Sequence, residues 1–187
     1  MDERLYAVLQ PSDFLWHQFS NRLLGLTDEE YFREPVSGCW SLRRREESIA
    51  PEQAGRGNWV LEGGRADPPP FTTIAWRLCH MAMGELMRYN WTFGSKDLQV
   101  DDIEWPAHAT AAITFVADAH EKWRGGLETV TTAQLDQIGF SQMPLGLDPQ
   151  VRFLDLVAWQ AAELSHHAAE VACLRDLYRA QQLATPR

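Results

Sequence analysis

Glu163 and His167 stand four residues apart in the segment VRFLDLVAWQAAELSHHAAEVACLRDLYRAQQ. On a helix that spacing places the two side chains one turn apart on the same face, so a carboxylate oxygen and an imidazole nitrogen can converge on one atom. Each helical residue turns its side chain by about 100°. With Val171 at zero, Phe153, Leu164, Val157, Tyr178 and Leu174 all fall within about 60°, forming an apolar stripe. His167 lies at about −40°, inside the stripe, Glu163 at about −80°, on its edge, and His166 at about −140°, outside it. A second helical segment, TTIAWRLCHMAMGELMRYNWTFG, carries His80 in one stripe with Trp76, Cys79, Met83, Leu86 and Met87. Ile74, Leu78 and Met81 lie on another side, so this helix is apolar nearly all round.

An imidazole and a carboxylate turned into an apolar interior are costly without partners. One divalent metal ion on His80, Glu163 and His167 would supply that partner, and three protein ligands leave positions open for water or substrate. An open site points to chemistry rather than to a structural staple. The alternative is a core His80 bonded to a backbone carbonyl, with Glu163 reaching solvent or pairing directly with His167. The residues alone leave both open, and His166 is the rival to His167 if the helix is slightly rotated.

The elements that must hold these residues are helical. A first helix spans residues 4 to 26, with Pro11 starting or kinking its main part. Residues 28 to 70 lose all periodicity and read as a long loop containing GCWSLRRR and GRGNWVLEGGRADPPP, with no convincing strand. Thr72 or Thr73 caps the second helix, which ends before Gly94. Pro106 opens a third, over about residues 107 to 126, closed by Gly125 and Gly126. A turn-rich link with Pro144, Gly146 and Pro149 leads to the long last helix. The fold class is therefore all-α, a four-helix bundle with a long loop between helices 1 and 2, and residues 1–187 form a single domain. The two long helices that carry the polar residues are the expected inner pair.

With 26 acidic against 17 basic residues and a net charge of −9, the chain lacks the basic surface that nucleic acid requires. Arg43, Arg44 and Arg45, followed by Glu46 and Glu47, read as a solvated loop. No apolar run reaches the roughly 20 residues of a membrane span. The three cysteines show no CxxC pairing, and the N-terminus does not read as a signal peptide, so reduced thiols and a cytoplasmic location are expected. Trp40, Trp76, Met83, Trp91 and Phe93 are candidates for a pocket wall or for plain core. Arg77 and Arg175 are candidates to meet an anionic substrate or to form ordinary salt bridges. His17, His108 and His120 show no partner pattern and are expected on the surface.

Three segments, GCWSLR at 38–43, TTIAWRLCHMAMGELMRYNWTFG at 72–94 and ELSHHAAEVACLRDLYRA at 163–180, resemble the DinB-like superfamily of four-helix bundles. That superfamily includes the metal-binding domain of mycothiol-dependent maleylpyruvate isomerase. The resemblance implies a metal ligand at His80, midway along the second helix, and two more, four residues apart, at Glu163 and His167. His167 precedes the expected small-small-acid-aliphatic run, Ala168 to Val171. Glu163 stands where many members carry histidine, a departure that would lower affinity, favour a harder ion or leave the site empty as purified. The resemblance also implies zinc or nickel as the ion and thiol-dependent transfer or isomerisation of a small molecule, with a low-molecular-weight thiol as partner. A non-catalytic metal or small-molecule binder linked to stress, and a purely structural bundle, are the alternatives. Homodimerisation is compatible with each.

Overall fold

The computed structural model describes residues 1–184. Six α-helices follow in order: α1 (Glu3–Leu23), α2 (Asp28–Phe32), α3 (Ile74–Phe93), α4 (Ala109–Glu128), α5 (Thr132–Leu135) and α6 (Phe153–Ala184). The four long ones form the bundle. α3 packs most extensively on α4, and α1 on α6, rather than α3 and α6 forming the closest pair. α3 and α6 meet across the bundle, where they carry the polar residues singled out above.

Local chemistry sets the ends of these helices. Thr73 caps α3 by accepting the Trp76 N–H at 3.2 Å, and Thr27 caps α2 through the Glu30 N–H at 3.2 Å. α4 has no side-chain cap of its own, and its Ala109 N–H is taken by Asp28 of α2 at 2.7 Å. α1 continues through Pro11. α4 runs past Gly125 and Gly126 instead of stopping there, and a Cβ on Gly126 would lie 2.5 Å from the Phe93 ring. Gly126 is thus a close-packing residue between α3 and α4, not a helix terminator.

The long connection before α3 contains a sheet that the sequence did not reveal. Strands β1 (Leu42–Arg44), β2 (Glu52–Ala54) and β3 (Trp59–Gly63) pair antiparallel in the order β1-β3-β2. Strands of three to five residues are too short to show alternation, and β3 buries Val60, Leu61 and Glu62 in succession. The buried Glu62 carboxylate accepts from Ser41 N, Arg43 Nε, Ser48 Oγ and Ile49 N, so its charge is fully partnered. The arginine triplet is accordingly tied to the sheet rather than a free loop, while Arg44 and Arg45 stay exposed to solvent as expected. Arg43 also pairs with Glu34, Arg44 lies over Trp59, and Arg45 donates to the carbonyls of Gly55 and Gly57.

The bundle core divides in two. One cluster joins the C-terminal end of α1 with Ile74–Ala82 of α3, Ala109–Ala119 of α4 and Leu164–Leu174 of α6. The other joins Leu5 and Leu9 with Trp123, Leu127, Leu135 and Phe153–Val157. Between them in each long helix lie buried polar residues: Ser12 on α1, Glu85 and Arg88 on α3, His120 on α4 and Gln160 on α6. Among the described residues no helix is long and apolar enough to cross a membrane.

Candidate metal centre

α6 presents Glu163 and His167 on successive turns, and α3 presents His80 opposite them. The ligand-capable atoms of these three residues lie within 4.8 Å of one another. The His80 and His167 rings meet edge to face with centroids 4.9 Å apart. His166 points away: it is exposed, stacks on His167 and reaches Glu170 at 3.2 Å. The helical wheel therefore separates the adjacent histidines correctly.

The sheet and α3 together fix His80. Trp76 donates its indole N–H to the Glu62 carbonyl of β3 at 2.7 Å, and its ring stacks on the His80 ring at 4.7 Å and 12°. Among the described residues His80 makes no hydrogen bond, so the backbone-carbonyl alternative has no counterpart here. Burial, reinforced by neighbouring His167, holds the His80 imidazole down at about 4, so at neutral pH the ring is neutral, with one N–H and one free lone pair.

His167 has a carboxylate at each nitrogen. Nδ1 lies 2.7 Å from Glu170 Oε2, and Nε2 lies 3.4 Å from Glu163 Oε2. Burial lowers the His167 pKa, against the opposing pull of Glu163. A neutral ring carries one N–H, which the short contact assigns to Nδ1 donating to Glu170. The Nε2 lone pair then faces a carboxylate oxygen. A separation of 3.4 Å exceeds an ordinary N–H···O bond and matches the spacing of about 3.4 Å between two ligands of one tetrahedral ion. Two imidazole nitrogens and one carboxylate oxygen thus make a donor set that fits a divalent ion.

Glu170, in the sequence simply the acid of the run that follows His167, is the outer support of this cluster. It takes the His167 N–H, contacts His166 and forms an ion pair with Arg77. Arg77 precedes His80 by one turn and Glu170 follows His167 by one turn, a symmetry visible in the sequence. Arg77 is buried in this pair and held below its ordinary pKa by desolvation. Arg175 is likewise a buried ion-pair residue, bonded to Glu30 at 2.8 and 3.0 Å, far from any anion site.

His80, Glu163 and His167 line a cavity of about 500 Å³ between α3, α6 and the link before α6. Its walls include Met81, Met83, Met87, Met143, Val151 and Leu156. Of the aromatic and methionine candidates, only Met83 lines it. Trp76 stacks on His80, Trp91 bonds the Leu98 carbonyl, Phe93 belongs to the aromatic core and Trp40 pairs its backbone beside Thr72.

His17 and His108 are exposed as expected, bonded to Asn21 and Asp28. His120 is not. It is buried, bonded through Nδ1 to Glu85 at 3.0 Å and stacked on Trp16 at 4.0 Å. Its position one turn beyond Val116, on the apolar stripe of α4, was the signal for this.

The sequence profile of the DinB superfamily matches residues 13–171, which contain every residue of the cluster. The chain belongs to the DinB superfamily. No curated protein and no solved structure matches it. DinB-superfamily proteins are generally metal-associated, and the His80–Glu163–His167 cluster of this DinB chain is a His/Glu site suited to that role.

Proposed function

We propose that this protein is a metal-dependent enzyme that holds one divalent ion, zinc or nickel, on His80, Glu163 and His167, and that it transfers or isomerises a small molecule with the help of a low-molecular-weight thiol. The observation that carries this reading is the His167 ring, placed between two carboxylates with Nδ1 2.7 Å from Glu170 and Nε2 3.4 Å from Glu163. A bare lone pair against a carboxylate is repulsive, and a cation between them removes the repulsion. When bound, a divalent ion lowers the pKa of a coordinated thiol or water and so supplies a nucleophile at neutral pH.

The protein's own residues account for the rest. Glu170 fixes the His167 tautomer and ring orientation, and Arg77 holds Glu170. Trp76 covers one face of His80 and holds its ring plane. Because all three candidate ligands also line the cavity, the open coordination positions face the space where a substrate would lie. The apolar walls keep bulk water from the reacting end.

The test is thiol-dependent turnover of an activated aromatic halide, chlorodinitrobenzene, with zinc- or nickel-loaded protein and a low-molecular-weight thiol. A carbon–sulfur bond forms, chloride leaves and the thiol proton goes to solvent. The reading expects turnover above the uncatalysed rate that disappears with chelator and with His80→Ala. A second reading, a non-catalytic small-molecule binder, draws on the cavity alone, which needs no ion to exist. Binding of metal and ligand without turnover across several thiols and electrophiles would favour it over the enzyme.

A further inference from the structure

The cavity has two polar ends and an apolar middle. His80, Gly84 and Arg88 follow one another at single-turn spacing on α3, and His167, Glu163 and Gln160 do so in the reverse direction on α6. His80 meets His167 at one end, and Arg88 donates to Gln160 Oε1 at 2.7 Å at the other. The two ends are about 12 Å apart along α3, eight residues of helical rise. At the far end Arg88 also pairs with Asp148 Oδ1 at 3.3 Å and lies over the Trp159 ring at 4.6 Å. Asp148 is itself buried and takes the Ser141 hydroxyl at 2.9 Å. The Arg88 charge is therefore already matched, while its buried Nε–H has no partner.

Two further features concern the space itself. Leu145, Leu147 and Trp159, 45%, 65% and 50% exposed, also line the cavity, so an apolar rim continues the apolar walls to the surface. Gly84 sits between the two ends in the interior of α3, where glycine is a poor choice. A Cβ there would meet nothing closer than Arg88 Nη1 at 3.5 Å and Gln160 at 3.9 Å, so no tight packing demands its absence. What the missing side chain leaves is cavity volume.

Resting on the functional reading above, we infer that the molecule taken into this cavity is neutral, elongated and largely hydrocarbon or aromatic, and that Gly84 is the residue that keeps room for it. A carboxylate or phosphate would find Arg88 already neutralised and would face Glu163, Glu85 and Asp148. An ammonium group would have to displace Arg88 from Asp148, His120 from Glu85, or the metal ion from Glu163. A sugar- or peptide-like body would bury polar groups against methionine and leucine without hydrogen bonds.

The experiment compares two dyes of nearly identical shape, neutral phenylnaphthylamine and its sulfonated counterpart anilinonaphthalene sulfonate, by fluorescence titration of the full chain. Wild type is expected to bind the neutral dye at least tenfold more tightly than the anionic one. Gly84→Leu is expected to weaken the neutral dye at least tenfold while keeping wild-type metal binding and thermal stability. Wild type stripped of metal by chelator is expected to retain the neutral dye, so failure of the metal centre and failure of this inference are read separately. Equal affinity for the two dyes, no binding of the neutral dye, or a neutral-dye affinity unchanged by a folded Gly84→Leu would overturn the inference. Should Gly84→Leu not fold, Gly84→Ala serves in its place, with a smaller weakening of the neutral dye as the required result.

Discussion

His120 and His167 are both buried histidines that place Nδ1 against a carboxylate, Glu85 at 3.0 Å for one and Glu170 at 2.7 Å for the other. The resemblance ends at the other nitrogen. His120 stacks on Trp16 in the closed polar layer of the bundle. His167 turns Nε2 toward a second carboxylate, Glu163, with a second imidazole beside it and a cavity in front. One acceptor satisfies a neutral imidazole, because that ring has a single N–H to give. A second acceptor at the other nitrogen calls for positive charge there, either a second proton on the ring or a metal ion between the two groups. The difference between a core histidine and a candidate metal-ligand histidine is thus a matter of counting acceptors, not of burial.

The sharpest way to break this contrast is to truncate each ring in turn. His120→Ala should retain metal binding and lose about 3 kcal/mol of stability, since Glu85 is left buried without its partner. His167→Ala should do the reverse in kind, abolishing metal binding and with it the stabilisation that a saturating ligand confers on the native state. Thermal unfolding with and without zinc checks both. If His120→Ala also lost the metal, the two sites would not be separate.

A smaller effect is expected of the carboxylate behind His167. Glu170→Gln keeps the shape but no longer holds the Nδ1 proton by charge, and outer-shell changes of this kind weaken metal binding by about 10- to 100-fold. Glu85→Gln, the equivalent change behind His120, should leave metal affinity unchanged. Calorimetric titration of both variants sharpens the comparison.

The acid limb of stability gives the third contrast. His80 is held at about 4 by burial, against an ordinary value of 6.5. Between those values the unfolded chain binds a proton that the folded chain does not, so the metal-free protein should lose stability as pH falls from 6.5 to 4 and gain nothing from His80 above 6.5. His167, also lowered by burial, acts in the same direction. Denaturant midpoints measured across this window should fall less steeply in His80→Phe, where the ring can still stack on Trp76.

Much of the site was legible because it lies on long helices. The stripe on α6 carried the orientation of Glu163, His166 and His167, and their i,i+4 spacing carried their convergence. His80 was less secure on an all-round apolar helix, and what fixes it is Trp76, bonded to a strand whose three to five residues leave no periodic trace. His120 was misplaced because an imidazole was judged by the absence of a sequence-local partner, whereas Glu85 reaches it from the neighbouring helix. Arg88 and Asp148 went unnoticed for a related reason. They lie 60 residues apart and become neighbours only when the link before α6 folds over α3.

The central claim is a cation seat between His167 Nε2, Glu163 and His80. The most direct test is the zinc and nickel stoichiometry of the purified full-length protein, measured by equilibrium dialysis for wild type, His80→Ala, Glu163→Ala, His167→Ala and His120→Ala. The account predicts a single equivalent for wild type and His120→Ala, none for His80→Ala and His167→Ala, and weakened or absent binding for Glu163→Ala. Wild type that binds no metal, or binding that survives both His80→Ala and His167→Ala, would contradict it.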